Sequence, residues 1–163
     1  MSKAEKLMII SLTSSAFDAL ADGVVPSGLR LLQDSAIAPR EVLCMLSDLN
    51  RAIAADFTPS AWMIVDGDEV VGLCSIIRAP ENGELHIGYG VAPSREGRGI
   101  ATAAVAELLD WARSDPQVKS VSAETAVANV ASQRVLERNG FSPTGRRSDP
   151  EDGPLICWAV ATL

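Results

Sequence analysis

Hydrophobic residues recur along the chain with two periods, and the switches between them divide it into short elements. Residues 6–12 form an apolar run that predicts a first strand, and Thr13-Ser14-Ser15 then offers a cap for a short helix through Ala21. Residues 26–36 read less clearly: Leu29, Leu31 and Leu32 suggest a short helix ended by Pro39. A firmer helix spans residues 39–55, with Pro39 in its first turn and Val42, Leu43, Met45, Leu46, Leu49 and Ile53 at helical spacing. Residues 61–65 and 69–77 read as a hairpin about Asp66-Gly67-Asp68, and residues 84–91 as the next strand after a Pro/Asn/Gly turn. A helix over 98–114 carries Ile100, Ala104, Leu108, Leu109 and Trp111 on one stripe and stops at Asp115-Pro116. A strand over 118–125 and a helix over 129–138 follow, with Asn129 as its cap and Gly140 as its stop. Two closing strands, 142–146 and 155–161, flank an exposed loop at 147–154.

Between the strand at 84–91 and the helix behind it lies Glu96-Gly97-Arg98-Gly99-Ile100-Ala101. Two glycines here permit a left-handed backbone and let a ligand approach closely. The following helix leaves its first N–H groups unpaired and presents its positive dipole end, a seat for phosphate. Arg95 and Arg98 add positive charge there. A mononucleotide loop would need a Gly-Lys-Ser/Thr ending, and a dinucleotide fingerprint a third glycine where this chain has Thr102.

Composition narrows the rest. At 163 residues and 47% hydrophobic, the chain reads as one domain with a real core, residues 1–163. No apolar run approaches the roughly 20 residues of a membrane helix, and the N-terminal stretch lacks the pattern of a signal peptide. A net charge of −7 argues against a nucleic-acid partner and is compatible with a cationic substrate. Three scattered cysteines and one histidine give no metal cluster and suggest reduced thiols in a cytoplasmic protein.

The glycine turn resembles the coenzyme A turn of the GNAT superfamily of N-acetyltransferases, [QR]-x-x-G-x-[GA]. The resemblance extends upstream to Val91-Ala92-Pro93 and downstream to Asn129-Val130-Ala131-Ser132 and Asn139-Gly140-Phe141. Glu96 departs from the usual Gln or Arg, which affects a side-chain role and leaves the backbone seat intact. The element order also matches that fold over nearly the whole chain. The resemblance implies an α+β architecture: a mixed, mostly antiparallel sheet of about seven strands, flanked by about four helices. Its fourth and fifth strands, here 84–91 and 118–125, would run parallel and splay apart to admit a pantetheine arm. It further implies acetyl-CoA as co-substrate, no metal, and direct transfer of acetyl to a peptide or small-molecule amine in a ternary complex. The branch it is most similar to acetylates the N-termini of ribosomal proteins. Segment 23–59 would wall the acceptor site, and a homodimer is allowed but not specified.

The resemblance places Tyr89, Gly90, Val91, Glu96, Gly97, Arg98, Gly99, Ile100, Ala101, Asn129 and Ser132 at the coenzyme. Gly88 and Gly90 are poor strand residues, and a β-bulge there would suit the splay. His86, the only histidine, titrates in the right range for a base, with Glu84 on the same strand face to orient it or to act through water. A buried structural His86 is the competing reading. The family's thiol-side tyrosine position is occupied by Leu136, which leaves Ser132, one helical turn beyond Asn129, or Tyr89, the only tyrosine, to protonate the thiol. Two rival functions stand beside this one: a catalytically silent acyl-CoA-binding module, and a different nucleotide- or phosphate-binding α/β protein.

Overall fold

A computed structural model describes residues 7–163, so the expected strand start at Lys6 lies outside the described residues. Eight strands form one sheet: β1 (Leu7–Ser11), β2 (Arg30–Leu31), β3 (Ala61–Asp66), β4 (Glu69–Ile76), β5 (Glu84–Val91), β6 (Ser120–Ala126), β7 (Ser142–Asp149) and β8 (Gly153–Ala161). Their order across the sheet is β1-β3-β4-β5-β6-β8-β7, with β2 paired to β4. Neighbours are antiparallel except β5/β6 and β2/β4. Four helices flank it: α1 (Ser14–Ala21), α2 (Arg40–Ala54), α3 (Ile100–Ser114) and α4 (Val130–Arg138).

The strands alternate side chains between two buried clusters. Trp62, Ile64, Cys74, Ile76, Leu85 and Ile87 pack on the face covered by α3 and by Leu136 of α4. Ala61, Met63, Val65, Val70 and Leu73 pack on the other, with Phe17, Leu20 and Leu43 of α1 and α2. Trp111 of α3 closes edge-on against Trp62, ring centres 5.0 Å apart.

Several expectations are corrected by this packing. The stretch around Leu29–Leu32 is a strand, not a helix: Arg30 and Leu31 pair with β4 where β5 has ended, and Arg30 forms ion pairs with Asp68 and Glu69. Leu31 and Leu32 then pack against opposite clusters, as strand alternation requires. This short strand brings the sheet to eight strands among the described residues. On α2 the buried positions are Leu43, Ser47, Asn50 and Ile53, while Met45 is exposed. The helix turns this mixed face inward because Ser47 bonds Asp18 and Asn50 bonds Ser60, tying α2 to α1 and to the start of β3. Helix α3 begins at Ile100 rather than Arg98, since Gly97 and Gly99 both sit at φ 76°, outside right-handed helix. The 147–154 loop is mostly strand, because Arg147 and Ser148 pair with Leu155 and Pro154, leaving a turn at 150–152.

Candidate active site

Parallel pairing between β5 and β6 runs from Glu84/Ser120 to Ile87/Ala123 and stops. Beyond it, residues 88–91 of β5 pair only with β4, and residues 124–126 of β6 only with β8. The two inner strand edges therefore diverge with no ladder between them, and an extended ligand can bond there as an added strand. The β4/β5 register is unbroken through Gly88 and Gly90, so the expected bulge is not present and the splay arises without one.

A groove of about 490 Å³ runs from this gap to the start of α3. Tyr89, Gly90, Val91, Glu96, Gly97, Gly99, Ile100, Ala101, Asn129 and Ser132 all line it. Arg98, which is exposed, is not among the lining residues. At Gly97 and Gly99 a Cβ would meet nothing within 4 Å, so both backbones stand open beside the N-terminus of α3. Together with the unpaired N–H groups of that helix end, they form a cradle that fits a phosphate. Arg95 lines the groove but is committed to Asp34 at 3.2 Å and Glu69 at 3.3 Å. Arg134 and Arg138 of α4 also line it and make no ion pair among the described residues. Their guanidinium groups, unlike that of Arg95, have no carboxylate partner among the described residues.

His86 lies on the α1/α2 face of β5, nearly fully buried at 5% exposure. Its Nδ1 shares a 2.8 Å hydrogen bond with Ser122 Oγ on β6. Its Nε2 faces Glu124 Oε1 at 3.3 Å and has no hydrogen-bond partner. Burial lowers the imidazole pKa below 6.5, reinforced by Arg78 and opposed by Glu124. Glu124 is held below the usual carboxylate range, chiefly by Arg147 of β7, whose guanidinium bonds both its oxygens. Glu84 pairs with Arg78 at 3.3 Å instead. Ser122 thus makes the one hydrogen bond to the ring, and Glu124 is the carboxylate facing it at 3.3 Å.

Tyr89 points to the opposite face. Its hydroxyl shares a 2.8 Å hydrogen bond with Ser132 Oγ and donates to the Ser132 carbonyl at 3.2 Å. Ser132 is placed by Asn129, whose side chain caps α4 by accepting from Ser132 N at 3.1 Å. Burial raises the Tyr89 pKa against the lowering effect of Ser132. The two residues weighed separately as thiol-side acids are thus one hydrogen-bonded pair. Cys74, beneath Tyr89 across β4/β5, is buried with its thiol pushed up to about 12, which keeps it protonated. All three cysteines are free thiols. Among the described residues no group of His, Cys, Asp and Glu could hold a metal, and no helix is long and apolar enough to cross a membrane.

Residues 35–142 match the acetyltransferase (GNAT) domain, and the chain belongs to that family. It is 34% identical over 84 residues to the uncharacterized N-acetyltransferase YjdG of Bacillus subtilis (strain 168), a match spanning 50% of this chain and half the length of that relative. Its backbone resembles RimL, a ribosomal L7/L12 alpha-N-protein acetyltransferase solved with coenzyme A, with TM-score 0.72 and 21% identity over 98% of this chain and 96% of that one. It also resembles a chimera of the spermidine N-acetyltransferase SpeG from Vibrio cholerae and hSSAT, with TM-score 0.71 and 16% identity over 96% of each chain. At such identities the two structures establish the GNAT fold.

Proposed function

We propose that this chain, acting as a single cytoplasmic domain, transfers the acetyl group of acetyl-CoA directly to an amine in a ternary complex. The acceptor is a protein N-terminus or a small-molecule amine. The observation that carries this reading is the diverging β5/β6 edge, with a buried imidazole on one sheet face and a phenol–hydroxyl pair on the other. Bound acetyl-CoA supplies an acyl group activated as a thioester.

The residues divide the remaining work. The cradle at Gly97 and Gly99, with Arg134 and Arg138, holds the phosphates, and the free edge of Tyr89 to Val91 holds the arm. His86 takes the acceptor's proton at Nε2, and Glu124 faces the imidazolium so formed. Ser122 fixes the ring through Nδ1. The Tyr89–Ser132 pair holds a proton on the thiol side, with the high phenol pKa keeping it protonated at neutral pH.

Calorimetry with acetyl-CoA, ATP and NAD tests the first half. Saturable binding of acetyl-CoA alone is expected, and its absence would sink the reading. Release of free thiol with an amine panel tests the second half. Binding without thiol release would make the chain an acyl-CoA-binding module instead.

A further inference from the structure

The β7–β8 hairpin acts on His86 from the far side of the sheet. Cys157 of β8 stands opposite Glu124 of β6 and opposite Gly145 of β7, so the three lie in one row. Arg147, two residues beyond Gly145, is on the same sheet face. Its guanidinium reaches across β8: Nε donates to Glu124 Oε2, and Nη2 donates to Oε1 at 2.9 Å. The third nitrogen, Nη1, is 3.7 Å from Asp149. The Asp149 carboxylate in turn accepts from the backbone N–H groups of Glu151 and Asp152 at the hairpin turn. All three guanidinium nitrogens thus face carboxylates, and the fork is anchored at the turn.

This grip matters because of what Glu124 would otherwise do to the ring. His86 Nε2 is buried 3.3 Å from Oε1 without a hydrogen-bond partner, although a carboxylate is a natural acceptor for a ring N–H. Neutral imidazole carries one proton, and its position follows from the acceptors that the two nitrogens find. A Glu124 with free oxygens would claim that proton on Nε2. Nδ1 would then accept from the Ser122 hydroxyl, and the lone pair that a base needs would be gone.

Two-pronged, charge-assisted bonding to Arg147 engages both Glu124 oxygens and offsets their charge. The ring proton then belongs on Nδ1, donated to Ser122 Oγ, and Nε2 keeps its lone pair. We propose that Arg147 is a positioning residue that selects this tautomer by holding Glu124 back from the Nε2 proton. The proposal rests on the acetyl-transfer reading for its catalytic meaning, and it brings the closing hairpin into the site. The other charges acting on the ring are Arg78 beyond β4 and Glu84 on β5, which pair with each other at 3.3 Å. Cys157 Sγ lies 3.7 Å from Glu124 Oε2, and burial pushes that thiol up, so it stays neutral.

Because His86 is the only histidine, NMR of its ring nitrogens in the isotope-labelled free chain reads the tautomer without ambiguity. At about pH 8, where this ring is neutral, the parent should show a protonated Nδ1 and a bare Nε2. Arg147→Met removes the charge and the fork at a half-exposed position, so the chain should still fold with a thermal midpoint near the parent's. In it the proton should move to Nε2, and the ring should titrate at higher pH, since the freed carboxylate favours the imidazolium. Adding Glu124→Gln should return Nε2 to its bare form, because no carboxylate is left to take the proton. Single-turnover transfer in Arg147→Met should slow by about a hundredfold, the lower range of a general base's contribution, with coenzyme A affinity unchanged. A parent with its proton on Nε2 overturns the inference. So does an Arg147→Met chain with the parental proton placement, the result that a merely structural Arg147 would give together with a lowered midpoint. Absence of transfer by the parent would instead strike the acetyl-transfer reading. The ring measurement, made without coenzyme or acceptor, would still decide the tautomer.

Discussion

Opposing charges set the proton affinity of His86. Burial and Arg78 disfavour the imidazolium, Glu124 favours it, and the balance leaves the pKa below 6.5. In the unfolded chain the same ring titrates near its ordinary value. Between the two values the unfolded state binds more protons, so stability falls as pH falls through that window. Thermal unfolding followed from about pH 7 to about pH 5 should show this slope, and His86→Gln should remove it. Glu124 adds a separate loss at lower pH, because its depressed pKa makes its contribution disappear only as pH drops below 4.5. Direct NMR titration of the single imidazole checks the sign: Arg78→Ala should raise the value and Glu124→Gln should lower it, and a parent value at or above 6.5 would refute the assignment. At Tyr89 and Ser132 the shared hydrogen bond predicts that Tyr89→Phe and Ser132→Ala each slow single-turnover transfer by about a hundredfold, with coenzyme affinity little changed. The double variant should be no slower than the worse single, as for residues acting as a unit. Fully additive losses would mean independent roles. His86 was legible in the sequence because a lone histidine on a strand before the glycine turn stands out. Glu124 was not, since it reads as an ordinary polar position in a strand, and only the fold brings it within 3.3 Å of the imidazole.

Elements were legible where period and punctuation agree, as for α3, α4 and β3 to β6. The misreadings came from segments whose structure depends on a distant partner. β2 exists because β5 leaves the edge of β4 open, and β7 is exposed along almost its whole length, so no alternation marks it. Its pairing with β8 is a backbone matter that a Ser/Asp/Pro-rich sequence conceals. The glycine turn, by contrast, states its own geometry. Gly97 and Gly99 both adopt φ 76°, and α3 starts immediately after them. Gly99→Glu puts a strained β-carbon and a negative charge at the mouth of the cradle, so calorimetry should detect no coenzyme A binding. Binding at the parental affinity would remove the phosphate seat from this turn. Asn129→Ala separates the cap from the site. It should cost about 1 kcal/mol, lowering the thermal midpoint by roughly 2–4 °C. It should also slow transfer beyond what that loss explains, because Ser132 N loses the contact that positions it.

At the scale of the whole molecule, one sheet is covered on both faces but left open along a single internal seam. The core clusters under α3 and under α1/α2 are each closed by packed side chains, whereas the edges at 88–91 and 124–126 have backbone groups with no strand between them. A ligand laid along that seam would join β5 to β6 and α4 to the turn before α3. Such a ligand binds only the folded chain, so its free energy adds to stability by mass action. At a hundredfold excess over its dissociation constant this is about 2.7 kcal/mol, which for a chain of this size raises the thermal midpoint by roughly 5–10 °C. Thermal unfolding with increasing coenzyme A should show that rise, growing with the logarithm of concentration. Gly99→Glu should abolish it. A rise that survives Gly99→Glu would mean that the ligand sits elsewhere and that the seam is a feature of the fold alone.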